Sequence, residues 1–324
     1  MKLYPDIEPY DIQFLPVGDD HKIYIEQSGN PNGVPVTFLH GGPGAGTSSL
    51  YRSFFNPSIY RIIMFDQRGS GKSLPYGSIS KNTSSHLIED IKTILDSLNI
   101  KKSILYGGSW GSTLALLFSE RHPSYVYSLV LRGIFLCRSD DIKWFYQKGA
   151  DSIYPDYWLD FINDIPSDER SDILGAFHKR IHGEDENLSK EFCKRWAIWE
   201  GQCSTLYPSK TVVDQFDQCS ISLAKIETHF FQNNCFIEEN EIIKNINKIK
   251  NIRCEIVHGR YDIVCPFKQA YDLLTNAKGE VFKKASDAIN HSYKNGITDE
   301  FINPCVNTKS IEESSNGNLV MSPF

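Results

Sequence analysis

The sequence predicts an α/β fold: a mostly parallel central sheet flanked by helices, with a helical segment inserted late in the chain. Three observations carry this expectation. Apolar runs that end in glycine-rich or polar turns recur along the chain, as buried strands do. Amphipathic helical patterns lie between several of them, and such alternation calls for right-handed crossovers on a parallel sheet. From about Cys137 to Asn245 the strand signals fade, and aromatic-rich helical segments replace them.

Taken in order, "YDIQFLPV" and "HKIYIEQSG" alternate apolar and polar residues around Gly18-Asp19-Asp20, which predicts an antiparallel hairpin on the sheet edge. "VPVTFLHGGPG" and "YRIIMFDQRGSG" read as buried strands running into turns. The segment "SSHLIEDIKTILDSLN" has the spacing of an amphipathic helix. "SILYGGSWG" is a strand whose turn opens into the helical "STLALLFSERH", and "YSLVLRGIF" is the next strand. Then come the helical segments "DIKWFYQKGA", "DYWLDFIND", "SDILGAFHKRIH", "KEFCKRWAIWEGQ" and "ISLAKIETHFFQNN". After "NEIIKNINKIKN", "IRCEIVHGRYD" and "GEVFKKASDAINHS" return to the strand pattern. The expected organisation is a core over residues 1–136 and 246–302, an inserted helical cap over 137–245, and a polar, loosely ordered tail over 303–324.

The chain has 324 residues, 40% of them apolar and 12% aromatic, enough to bury a large core. Its net charge of −6 and lack of a Lys/Arg-rich stretch argue against nucleic acid or an anionic membrane as partner. A small-molecule or peptide substrate fits better. "MKLYPDIEPYDIQF" has no apolar leader core, and no run of about 18 apolar residues occurs, so a cytoplasmic protein is expected. The eight cysteines form no C-x-x-C pair and no metal-finger spacing, so they read as reduced packing thiols, with neither a metal nor a cofactor implied. The oligomeric state is left open.

Gly107-Gly108-Ser109-Trp110-Gly111 matches G-x-S-x-G, in which a strained strand-to-helix turn lifts a serine hydroxyl above the sheet edge. Such a serine needs a base, and the base needs an orienting acid. In the chain order expected of this turn, the acid is Asp262 in "GRYDIVCP" and the base is His291 in "INHSYKNG". Acyl transfer also needs donors for an oxyanion. The loop "HGGPG" offers the N–H of Gly42, to act with that of Trp110. "DQRGSGKS" lacks the spacing of a phosphate loop, so Asp66 and Arg68 are expected to hydrogen-bond the loops at the top of the sheet.

Together, "HGGPG", "DQRGSGKS", "GGSWGS", "LRGIF", "WFYQKGA", "WAIWEG", "AKIETHFF" and "HGRYDIVCP" resemble, in order, segments of the prolyl aminopeptidases, or proline iminopeptidases, of the α/β-hydrolase fold. The resemblance runs from about residue 5 to residue 301. It implies removal of an N-terminal proline from a peptide, with Ser109 as nucleophile, His291 as base and then acid, and Asp262 orienting it. It further implies that Glu200 and Glu227 hold the free amino group, that Arg132 supports this acidic site, and that Phe135, Phe145 and Phe231 form an apolar slot for the pyrrolidine ring. Two departures stand out: Asn290 where the family has glycine before the histidine, and a polar segment after Phe301 where a final amphipathic helix is expected. Two other functions stay open on the residues alone: an esterase or other serine hydrolase with the same triad, and a non-catalytic binding protein on the same fold.

Overall fold

The computed structural model describes residues 3–205 and 209–277. Seven strands form one sheet: β1 (Asp11–Gly18), β2 (His21–Gly29), β3 (Val34–Leu39), β4 (Tyr60–Phe65), β5 (Ser103–Ser109), β6 (Val126–Ile134) and β7 (Arg253–Val257). Their spatial order is β1-β2-β4-β3-β5-β6-β7. β1 and β2 pair antiparallel, β2 meets β4 antiparallel, and the remaining pairs are parallel. The edge hairpin is as expected. Gly18 faces His21, and Asp19 and Asp20 both take positive φ, which twists the turn in the sense of the strands it joins.

Alternation along the strands divides the core between the two faces of the sheet. Val36 and Phe38 of β3, Ile62 and Met64 of β4, and Ile104 and Tyr106 of β5 pack with Phe54 and Phe55 on one face. Leu39, Ile63, Phe65, Leu105, Leu129 and Leu131 point to the other. That second face is covered by α1 (Ser84–Ser97) and α2 (Trp110–Arg121). Helix α1 buries a single stripe, Leu87, Ile88, Ile91, Ile94 and Leu95, whereas α2 is buried from Trp110 to Glu120, because it is enclosed by the sheet and further helices.

Between β6 and β7 the described chain is helical: α3 (Ser139–Tyr146), α4 (Pro155–Ile162), α5 (Ile173–Ile181), α6 (Glu186–Cys203), α7 (Lys210–Gln218), α8 (Ser220–Gln232) and α9 (Glu241–Asn245). α10 (Lys268–Asn276) follows β7. Aromatic stacking knits the insertion together; Tyr146 stacks on Trp196 at 4.0 Å between centroids, and Phe161 on Phe177 at 4.3 Å. α7 and α10 escape sequence reading. Each is nine residues long with few buried positions, so the apolar stripe is too thin to register. The "GEVFKKASDAINHS" segment and the polar tail lie outside the described residues.

Asp66 and Arg68 do tie loops together above the sheet. The Asp66 carboxylate accepts from Thr47 N (2.6 Å), Thr47 Oγ1 (2.7 Å) and Lys72 N (2.8 Å). Arg68 is buried and pairs in a two-pronged way with buried Asp90 at 2.7 and 2.9 Å, while its remaining N–H groups reach the carbonyls of Lys81 and Val17. The seven described cysteines are free thiols.

Candidate active site

Ser109 ends β5, and α2 begins at the next residue. Its backbone sits at φ 54° and ψ −126°, a conformation worth about 1–3 kcal/mol of strain that persists only where surroundings enforce it. The flanking glycines show the enforcement. A Cβ on Gly107 would collide with the carbonyl of Gly111, and one on Gly111 with the carbonyl of Leu39. The turn is that tight because β5, α2 and β3 all converge beneath the serine.

The loop that holds Gly41 and Gly42 is locked to this elbow by a buried relay. Trp110 Nε1–H donates to Gln67 Oε1 at 2.8 Å, and Gln67 Nε2–H donates to the His40 carbonyl at 2.9 Å. His40 Nε2 accepts the Gln67 backbone N–H at 2.9 Å, so its proton is on Nδ1, which donates to the Gly41 carbonyl. Burial depresses the His40 pKa and keeps the ring neutral. Gly41 thereby lies against the Ser109 side chain, with Gly42 next in the loop at φ 103°. The first-turn N–H of Trp110 has no intrahelical acceptor. Among the described residues the Gly42 N–H has no acceptor either.

Asp262 stands in the loop after β7. Its Oδ1 accepts the Cys265 N–H at 2.8 Å, and its Oδ2 lies 3.8 Å from His258 Nε2. His258 supports that loop from beneath. Its Nδ1 accepts from Ile134 N–H at 2.9 Å, which leaves the proton on Nε2 to be donated to the Cys265 carbonyl at 2.7 Å. Burial raises the Asp262 pKa above the usual carboxylate range, opposed by His258 and the loop N–H groups. Gly133 separates Asp262 from Ser109: a Cβ built on it would be 3.7 Å from Asp262 Oδ2 and 3.8 Å from Ser109 N. His291 lies outside the described residues.

A narrow cleft lies beside Ser109, with a free cavity volume of about 20 Å³, little more than one water molecule needs. Gly42, Phe135, Phe145, Phe231, Glu200 and Glu227 line it. Phe135 and Phe231 meet edge to face at 5.8 Å. Glu200 on α6 and Glu227 on α8 are both buried against the same cleft, where two carboxyl groups in one site oppose each other's ionisation. Burial pushes Glu200 up to about 7. Burial and the charge of Glu200 raise Glu227 as well, although Trp196 Nε1–H donates to Glu227 Oε2 at 2.6 Å and Tyr146 lies near at 3.5 Å. Glu200 Oε2 has no hydrogen-bond partner among the described residues, so one carboxylate oxygen in the cleft is left for a donor.

Arg132 lies beside the serine turn. Its guanidinium lies over Gly108, its charge acts on Tyr106 and Asp262, and its buried Nε has no hydrogen-bond partner among the described residues. The placement follows from its position on β6, directly beside Gly108 of β5, where the side chain stays close to the sheet. Sequence reading missed Gln67, His40, His258, Tyr146, Trp196 and Cys265. Only the polar residues of "HGGPG" and "DQRG" carried any signal, as unexplained neighbours of the elbow. Cys265 brings its thiol to 3.9 Å from Ser109 Oγ, a contact that spacing along the chain does not reveal.

A family model described as the α/β-hydrolase fold matches residues 34–284. Curated proline iminopeptidases align over most of the chain: that of Xylella fastidiosa is 44% identical over 84% of this chain and 88% of its own, and that of Arabidopsis thaliana 43% identical over 93% and 80%. The chain belongs to the proline iminopeptidase family of α/β hydrolases. The same family includes the Neisseria gonorrhoeae enzyme, 42% identical over 84% of this chain and 87% of its own. Among solved structures, an esterase from Exiguobacterium antarcticum is similar with a TM-score of 0.57 and 24% identity, covering 82% of this chain and 87% of its own. A bromoperoxidase from Bacillus anthracis gives 0.59 at 17% identity, covering 83% and 88%. These two likenesses establish the fold alone. No helix among the described residues is long and apolar enough to cross a membrane.

Proposed function

We propose that this protein is a prolyl aminopeptidase, a serine peptidase that releases proline from the free N-terminus of a peptide. The observation that carries this reading is the buried Glu200–Glu227 pair, opening with three phenylalanines onto the same small cleft as Ser109. A neutral ester gains nothing from two carboxylates sequestered beside its acyl group, and their burial is costly without a cationic ligand. A terminal ammonium supplies that cation, and the aromatic walls suit a rigid apolar ring.

In the reaction, Ser109 Oγ attacks the carbonyl carbon of the N-terminal proline while His291 takes the hydroxyl proton. The N–H groups of Gly42 and Trp110 receive the developing oxyanion. As the intermediate collapses, His291 passes its proton to the departing peptide amine, leaving a prolyl ester on Ser109. Water, activated by the same histidine, then hydrolyses the ester and frees proline. Asp262 holds the histidine's orientation and stabilises its charged form. Arg132, set beside Asp262, favours the ionised acid, and is not assigned to the substrate amine. Residues 137–245 act as the cap that brings the glutamates over the nucleophile of the two-part core.

The test is hydrolysis of Pro-arylamide, acetyl-Pro-arylamide and other free-amine Xaa-arylamides by the wild type and by Ser109→Ala. The expected result is preference for free-amine proline and a loss of about a thousand-fold or more in Ser109→Ala. Equal cleavage of acetylated and free substrates would overturn the amine recognition, and activity surviving in Ser109→Ala would overturn the mechanism.

A further inference from the structure

Helix α3 forms one wall of the cleft, through Asp141, Ile142, Phe145 and Tyr146. It is also the element of the insertion most directly bonded to the segment that carries the acid. Trp144, on the same helix, turns the other way and donates its indole N–H to the Ile263 carbonyl at 2.8 Å, one residue beyond Asp262. At the start of the helix, Arg138 grips Asp141 at 2.8 and 2.9 Å and reaches across to Asp272 of α10 at 2.7 Å. Just ahead, Leu136 N–H donates to buried Gln269 of α10 at 2.7 Å. The loop from Asp262 to Phe267 thus has α3 bonded to it directly at Ile263 and again through α10, where that loop ends.

We propose that Trp144, backed by the Arg138–Asp272 ion pair, is a positioning residue for Asp262. Its indole N–H fixes the acid loop to the same helix that walls the substrate cleft, so that the slot and the acid keep one relative placement. The inference rests on the reading of Asp262 as the acid of the triad. A side chain that served only as a cleft wall would act on binding; one that holds the acid acts on turnover and on the protonation of the base. The carboxylate of Asp262 favours the charged imidazole. Loosening its loop therefore lowers the pKa of the base and moves the acid limb of kcat, read with the cleft occupied, to lower pH.

Trp144→Phe keeps the ring and removes the N–H, and Asp272→Asn weakens the second tie without touching the cleft. Both are compared with the wild type in kcat, KM and pH profile on Pro-arylamide, with thermal unfolding to verify folding and Asp262→Asn as reference. The expected result is a kcat about five-fold lower in Trp144→Phe, as for loss of one hydrogen bond, with KM within two-fold and the acid limb shifted to lower pH. Asp272→Asn shifts the limb in the same direction. An unchanged kcat and limb in both folded variants, or a rise in KM alone, overturns the positioning role while an inactive Asp262→Asn leaves the triad standing. Full activity in Asp262→Asn overturns instead the reading on which the inference rests.

Discussion

Lowering the pH weakens recognition of the substrate amine, because the carboxylates that receive it carry a proton in the empty cleft. Glu200 is raised from 4.5 to about 7 by burial, and Glu227 beside the same cleft is raised as well. An ammonium ligand demands the ionised form, so its binding releases that proton. KM for Pro-arylamide is therefore lowest just above pH 7 and climbs below it, approaching about ten-fold per unit as the carboxylates become protonated. At the alkaline end the substrate's own amine deprotonates near pH 8, so the optimum for binding lies between the two. The same shift sets a stability term. An unfolded Glu200 loses its proton near 4.5, whereas the folded one keeps it to about 7, so the folded state holds the extra proton and loses stability as pH rises across that window. The full term is about 3 kcal/mol at pH 7 and above. Glu200→Gln removes this penalty and stabilises the empty protein at pH 8. It also deletes a charge-assisted contact worth about 1.5–3 kcal/mol, which lowers kcat/KM on Pro-arylamide by roughly ten- to 150-fold. The assay is a KM profile from pH 5 to 8.5 for wild type and Glu200→Gln, beside a neutral nitrophenyl ester. A flat wild-type KM, or an equal loss on amide and ester, would refute the reasoning.

Two further substitutions probe the supports. Gln67→Leu leaves the Trp110 indole N–H and the His40 carbonyl unpaired inside the core; stability in urea is expected to fall by about 2–4 kcal/mol, and kcat on Pro-arylamide to drop with KM nearly unchanged. His258→Phe strands the Ile134 N–H and the Cys265 carbonyl. A loss of about 2–4 kcal/mol by urea unfolding is expected, together with slower labelling of Ser109 by a fluorophosphonate.

Local patterns are legible where one short segment decides its own conformation. Gly18-Asp19-Asp20 specifies its hairpin because positive φ at both turn residues is a property of the turn itself. The elbow is similar: glycines at 107, 108 and 111 announce that other backbone passes within reach, and it does. Helices α7 and α10 are quieter, since a nine-residue helix with little buried surface takes its stability from neighbours distant in the chain. Arg132 shows the limit from the other side. Strand pairing puts it beside Gly108, a register that its own segment does not declare, and a side chain is confined to what its backbone can reach.

By itself, the sequence determined the sheet-forming runs and the strained serine turn, because these are matters of residue type and spacing, whereas Glu200 and Glu227 were singled out only by resemblance to a family. Only tertiary structure decided that Glu200 and Glu227, on two different helices, line the cleft of Ser109 together, where burial raises the pKa of both. Burial and proximity alone raise the pKa of a carboxyl group, and both depend on segments that meet only when the chain is folded.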